Sequence, residues 1–213
     1  MKPNIIDKCT DRILGLIKNN ATIDDKQTVI LTYGLGLVIN NIIAFAIALI
    51  PALLLGNLYH VAIILLTVSA LRSFSGGAHN SNIINCAVNG AVISNLLGLL
   101  MRFLILNRAA LYSFIIATFF FSLWAIGKYA PADTPSKPIV TVVKKHLLKR
   151  NSYIVLAAWC FICIYWFLRI PQVSTFIYAS TLGILWQSFT LTRAGYKLYD
   201  GIDKGLNKLR RVE

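Results

Sequence analysis

The sequence predicts an all-α, polytopic integral membrane protein, and three observations carry that expectation. Apolar residues make up 57% of the chain and charged residues only 14%, and the mean hydropathy of +0.67 lies outside the range of an ordinary water-soluble domain. The apolar residues also gather into runs close to the ~20 residues that cross a hydrocarbon core as a helix. In 213 residues such runs leave little chain for a separate soluble domain. We expect one membrane domain over 29–192, preceded by an amphipathic segment over 1–28 and followed by a basic tail over 193–213.

Residues 1–28 place Ile6, Cys9, Ile13, Leu16 and Ile17 at helical spacings among Lys2, Lys8, Asp11, Arg12 and Lys18. This is an amphipathic helix suited either to a membrane surface or to packing on the membrane domain. The first apolar run extends from about Val29 to Leu55, interrupted by Asn40 and Asn41, with Pro51 and Gly56 at its exit. A second, Leu58 to Leu71, is too short to cross a ~30 Å core unless its neighbours extend it or the bilayer thins. After the polar stretch 72–82 come runs from Ile83 to about Leu106 and from Ala109 to Gly127. A long polar connection over 128–151 follows, then runs at Tyr153 to Leu168 and Val173 to Leu191.

Six spans is the count these runs suggest, and the basic residues orient them. Lys and Arg number five before the first span, one at Arg72, two at Arg102 and Arg108, six in 128–151, one at Arg169 and six in the tail. Cytoplasmic connections carry the Lys and Arg excess, so both termini, the 72–82 connection and the 128–151 loop are expected in the cytoplasm. Arg102 and Arg108 fit this scheme least well. The formal net charge of +13 is therefore a topology signal, and no nucleic-acid partner is expected. The first 28 residues lack the short apolar core of a cleavable signal peptide, which keeps the N-terminus attached.

The four cysteines show no paired spacing of a secreted disulfide framework. Cys160 and Cys163 form a C-x-x-C inside an apolar run, where packing explains them better than redox chemistry. A metal site would need ligands from His60, His146 or Asp133, and none stands at a recognised ligand spacing. No metal or other cofactor is expected.

Chemistry is best sought where polar groups gather at a membrane boundary, and 72–95 contains Arg72, His79, Asn82, Asn85, Cys86, Asn89 and Asn95. Offsets of three, four and seven from Asn82 put Asn85, Cys86 and Asn89 on one broad helical face. Facing lipid would be costly, so this face should point into the protein or toward water. A cysteine nucleophile needs a base, because an unperturbed thiol is only a few per cent ionised at neutral pH. His79 is the candidate. On one straight helix seven positions would separate it from Cys86 by ~10.5 Å along the axis, so His79 should belong to a loop that folds back. Gly76 and Gly77 permit that bend, and Ser81 or Asn82 are candidate caps for the following helix.

Two motifs in this order resemble the accessory gene regulator B proteins, integral-membrane cysteine endopeptidases of Gram-positive quorum sensing. One is Arg72-Ser-Phe-Ser-Gly-Gly-Ala-His79 with Cys86 seven positions later; the other is Lys128-Tyr-Ala-Pro-Ala-Asp133-Thr134-Pro-Ser-Lys-Pro138. Length and span number agree as well. The resemblance implies a protein of the bacterial cytoplasmic membrane, with His79 and Cys86 catalytic. Its substrate would be a short AgrD-like propeptide with an amphipathic N-terminal segment, a central signal region and an acidic tail. The enzyme would remove that tail through an acyl-enzyme thioester and release a cyclic thiolactone or lactone.

Asn82, Asn85 and Asn89 are candidates for orienting His79, donating to the oxyanion or binding substrate, and Arg72 is a candidate substrate-binding group. Lys144, Lys145 and Lys149 are candidates for attracting the acidic tail. No carboxylate lies nearby in sequence to complete a triad, so a dyad is the economical reading. Membrane lipids are the other expected partner; a homodimer is compatible with the sequence, which does not specify an oligomeric state. Two other readings remain: a small transporter or channel lined by the Asn-rich third span, and a membrane adaptor whose basic segments bind anionic lipid or a protein.

Overall fold

The computed structural model describes residues 5–20, 23–80, 83–103, 106–132, 141–169 and 175–209, and among these it is helical, with no strand. Eight helices follow in order: α1 (Ile5–Asn20), α2 (Asp25–Leu54), α3 (Leu58–Ser75), α4 (Ile83–Phe103), α5 (Arg108–Tyr129), α6 (Val142–Arg169), α7 (Thr175–Thr190) and α8 (Arg193–Leu209). Helices α2, α3, α5 and α6 are each long and apolar enough to cross a membrane, and α4 contains a shorter apolar stretch, Asn85–Met101. The chain is a multi-pass membrane protein. The expected total of six crossings goes beyond these four helices.

Local chemistry explains several boundaries. Asp24 and Gln27 form a reciprocal capping box at the start of α2, with Gln27 N–H donating to Asp24 Oδ1 at 2.6 Å and Asp24 N–H to Gln27 Oε1 at 3.2 Å. Asn107 caps α5 by accepting from Ala110 N–H at 2.8 Å. The short second run gains its length from polar neighbours: α3 continues past Leu71 to Ser75, and its 18 residues reach ~27 Å.

The polar connection expected over 128–151 and the basic tail over 193–213 both contain helix. Helix α6 begins at Val142, so Lys144, Lys145, Lys149 and Arg150 occupy its first turns, and Lys128 and Tyr129 still belong to α5. Likewise α8 makes most of the tail an amphipathic helix. The physical reason is the same in both: Lys, Arg and Leu are good helix formers, so charge ends an apolar run without ending a helix. The candidate caps Ser81 and Asn82, together with Asp133 to Pro138 of the second motif, lie outside the described residues.

Helix α7 is the core of the bundle, with ten of its 16 residues buried. It packs mainly on α3 and α5, while α2 packs on α4 and carries α1. A Cβ on Gly183 would lie 3.1 Å from the Ile64 carbonyl oxygen, so a residue without a side chain is what allows α7 to approach α3 so closely. Hydrogen bonds cross the other interfaces. Ser188 donates to Ser122 at 2.7 Å, Trp159 Nε1 to Ser180 at 3.1 Å, and Asn95 Nδ2 to the Ala48 carbonyl at 2.9 Å. Such bonds hold helices together where lipid removes the hydrophobic drive between them.

Neighbouring helices alternate in direction. At one end Arg108, opening α5, donates to the Phe167 carbonyl near the end of α6 at 3.1 Å. At the other, Lys149 near the start of α6 donates to the Gly127 carbonyl near the end of α5 at 2.6 Å. Helices α3 and α7 finish at this second end, and α4 and α8 begin there. The polar stretch after α3, the first turns of α6 and the C-terminal helix therefore share one end of the bundle.

Candidate active site

The site is assembled where α3 stops. Gly76 and Gly77 take φ of 68° and 138°, values that L side chains rarely adopt, and they turn the chain back over the helix end. A Cβ on Gly77 would lie 2.7 Å from Thr190 Oγ1, so the turn presses against the last residue of α7. Backbone bonds fasten it on both sides: Ala78 N–H donates to the Thr190 carbonyl at 3.0 Å, and Ala132 N–H to the Ser75 carbonyl at 2.8 Å. Gln187, fully buried on α7, adds Nε2 bonds to the Gly76 carbonyl at 2.7 Å and Ser75 Oγ at 3.2 Å. The α7 residues that fix the loop lie more than 100 positions away in sequence.

His79 follows this turn, and Cys86 lies in the first turn of α4. The fold-back expected from the sequence brings Cys86 Sγ to 3.9 Å from His79 Nδ1. Arg72, one turn before the end of α3, reaches the same nitrogen with Nη2 at 3.0 Å and also donates to the Ala78 carbonyl and, at 3.4 Å, to Gln187 Oε1. A guanidinium can only donate, so Nδ1 accepts and the ring proton of neutral His79 sits on Nε2. Although His79 keeps a solvent-exposed edge, burial first and the Arg72 charge second lower its pKa to about 4. The imidazole is therefore neutral at pH 7 and able to take a proton.

The asparagines divide into distinct roles. Asn89 is buried and donates through Nδ2 to Asn80 Oδ1 at 3.1 Å, and Asn80 in turn donates to Asp203 Oδ1 on α8 at 2.8 Å. Asn85 is buried next to Cys86 in sequence, and its Nδ2 has no partner among the described residues. Asn82 lies outside the described residues. Lys144 and Lys145 are exposed at the start of α6, whereas Lys149 is bonded to Gly127.

Sequence reasoning missed Asn80, Gln187, Thr190, Tyr199 and Asp203. Tyr199, on α8, is buried, and its hydroxyl neighbours Arg72, Cys86 and Trp186; burial raises its pKa against the opposing pull of Arg72. Only a polar residue within the apolar α7 run, Gln187, carried a signal that was there to be used, since a buried amide near a membrane boundary marks a site. Among the described residues no three His, Cys, Asp or Glu side chains gather as a metal site would require.

A sequence model of the family described as accessory gene regulator B matches residues 10–191. An AgrB-like protein of Clostridium perfringens (strain SM101 / Type A) is 31% identical over 213 residues, covering 96% of this chain and 100% of that protein. Another from Clostridium perfringens (strain 13 / Type A) is 31% identical over 221 residues with the same two shares. One from Listeria monocytogenes (strain ATCC BAA-679 / EGD-e) is 31% identical over 140 residues, 65% of this chain and 67% of that protein. No solved structure matches. Because the match runs from α1 through the end of α7, taking in the Arg72–His79–Cys86 constellation, the chain belongs to the accessory gene regulator B family.

Proposed function

We propose that this protein is a cysteine endopeptidase of the bacterial cytoplasmic membrane that cuts the acidic C-terminal tail from a short AgrD-like propeptide. Family membership supports a role in the agr quorum-sensing system. The observation that carries the peptidase reading is the 3.9 Å approach of Cys86 Sγ to His79 Nδ1, between a neutral imidazole and a thiol at one end of a membrane bundle. The positive-inside bias supports a cytoplasmic location for that end, with both termini on the same side.

The reaction uses these groups in sequence. Nδ1 of His79 takes the proton of Cys86, and the sulfur attacks the carbonyl at the end of the signal region. The S–C bond forms, the peptide C–N bond breaks, and the proton passes from His79 to the departing amine of the tail. What remains is a thioester that keeps much of the energy of the cleaved bond. An internal Cys or Ser of the propeptide then attacks it, so that a thiolactone or lactone leaves and Cys86 recovers its proton. Excluding water from Cys86 favours this ring closure over hydrolysis. Arg72 must release Nδ1 for the first step, and its alternative acceptors, Gln187 Oε1 and the Ala78 carbonyl, are already in reach.

The test is cleavage of a synthetic propeptide by purified enzyme in proteoliposomes. Cys86→Ala and His79→Ala each abolish cleavage while leaving insertion intact, since neither adds charge to a span. Substantial cleavage by either variant overturns the dyad.

A further inference from the structure

Helix α8 reaches back to the loop bearing His79 through a largely buried chain of hydrogen bonds. Asn89 Nδ2 donates to Asn80 Oδ1 at 3.1 Å, and Asn80 Nδ2 donates to Asp203 Oδ1 at 2.8 Å. Asn80 and Asn89 are only 8% and 9% exposed, so the bond between them is sheltered from competing water, while the bond to the half-buried Asp203 is partly sheltered. Asn80 is the residue directly after His79, and Asn89 lies on the helix that carries Cys86, three residues further along. One amide therefore ties the histidine's backbone to the cysteine's helix through its oxygen, while its nitrogen donates to a carboxylate from α8.

We propose that Asp203 is a positioning residue for the His79–Cys86 pair: through Asn80 it fixes the loop bearing the base against the helix bearing the nucleophile. This rests on the peptidase reading given above and extends it to α8. The direction of the bonds explains why a carboxylate is suited to this position. Asn80 must present its oxygen to Asn89 and its nitrogen to Asp203, and an ionised carboxylate can only accept, so it selects that orientation of the amide. Reversing the amide would set Asn80 Oδ1 against the carboxylate and its nitrogen against the Asn89 nitrogen. The bond to a charged acceptor is also the stronger kind. Tyr199, one turn earlier on α8 and buried among Arg72, Cys86 and Trp186, seats the helix so that Asp203 meets the loop.

The test is a set of full-length variants in proteoliposomes, each checked for insertion and assayed for propeptide cleavage. Asp203→Ala removes the acceptor and lowers kcat by roughly tenfold to a hundredfold, the scale set by a small misplacement of reacting groups. Asp203→Asn keeps an oxygen for Asn80 and retains most of the activity. Asn80→Asp faces Asp203 with a second carboxylate and is impaired like Asp203→Ala. Combining Asn80→Asp with Asp203→Asn restores activity, because the new carboxylate accepts from both Asn89 and the new amide. A wild-type kcat in Asp203→Ala, or no recovery in the combined variant, overturns the positioning role. Full cleavage by His79→Ala in the same assay overturns the peptidase reading instead, so the two failures are distinct.

Discussion

Arg72 occupies the ring nitrogen of His79 that Cys86 also faces: its Nη2 lies 3.0 Å from Nδ1, and Cys86 Sγ lies 3.9 Å from the same atom. One lone pair cannot serve both. On the peptidase reading proposed above, His79 can accept the Cys86 proton at Nδ1 only when the guanidinium moves aside.

The pH dependence follows from this contact. With the pKa of His79 lowered to about 4, by burial first and Arg72 second, the base is available above that pH, and kcat/KM falls as pH drops through about 4. Arg72→Gln removes the smaller cause only, so the acid limb moves upward without reaching the ~6.5 of a free imidazole. A propeptide with a neutral tail keeps substrate carboxylates from titrating in the same range. An acid limb unmoved in Arg72→Gln would show that the guanidinium does not act on His79.

Asn85 gives a second expectation. A buried amide donor without a partner is costly, and among the described residues Asn85 Nδ2 is such a donor, in the residue before Cys86. If it awaits the oxyanion, Asn85→Ala lowers kcat by about a hundredfold with little change in KM, the scale seen for loss of one oxyanion donor. Unchanged kcat together with a higher melting temperature would identify it as a structural defect instead.

Substrate attraction is tested on α6. Lys144 and Lys145 are exposed, while Lys149 joins α6 to α5 through the Gly127 carbonyl, so the pair can be altered without disturbing that joint. Lys144→Gln with Lys145→Gln slows cleavage of a propeptide with its acidic tail by roughly tenfold at low salt. The difference shrinks as salt shortens the screening length toward ~8 Å, and it is absent for a neutral tail. Equal rates for both tails in correctly inserted enzyme would leave these lysines a topology signal only.

Orientation is tested by labelling. Cys9→Ser, Cys160→Ala and Cys163→Ala together retain activity, because none of the three contacts the site, and they leave Cys86 as the single thiol. An impermeant thiol reagent added outside intact cells then leaves the protein unlabelled, while opened membranes react. Strong labelling of intact cells would place the site on the external face.

Arg72, His79 and Cys86 were legible because they lie within 15 positions and their spacing forces a fold-back. The same local reasoning reached Gly76 and Gly77, whose positive φ it requires. It did not reach Gln187, Thr190 or Asp203, since which face of α7 or α8 meets the α3–α4 turn depends on how helices pack, and apolar runs fix only their lengths. Asn89 shows the difference within one helix. Its offset assigned it to the right face, but its partner, Asn80, lay outside the periodic pattern. The helical character of 142–151 was missed because hydropathy reports lipid contact, and these lysines continue a helix beyond it.

The hydrogen bond between Asn80 and Asp203 spans 123 positions, and that separation bears on when the enzyme becomes active during its own synthesis. At ribosomal speeds the interval between the two residues is roughly 6–25 s. During that interval the loop and α4 are already in the membrane, while α8, which holds Asn80 in its working orientation, has not been made. A nascent chain therefore carries His79 and Cys86 before Asp203 is present to bond Asn80, and a chain truncated before α8 lacks that bond throughout. On the proposed reading, cleavage would await α8 as well as the loop and helix that carry His79 and Cys86.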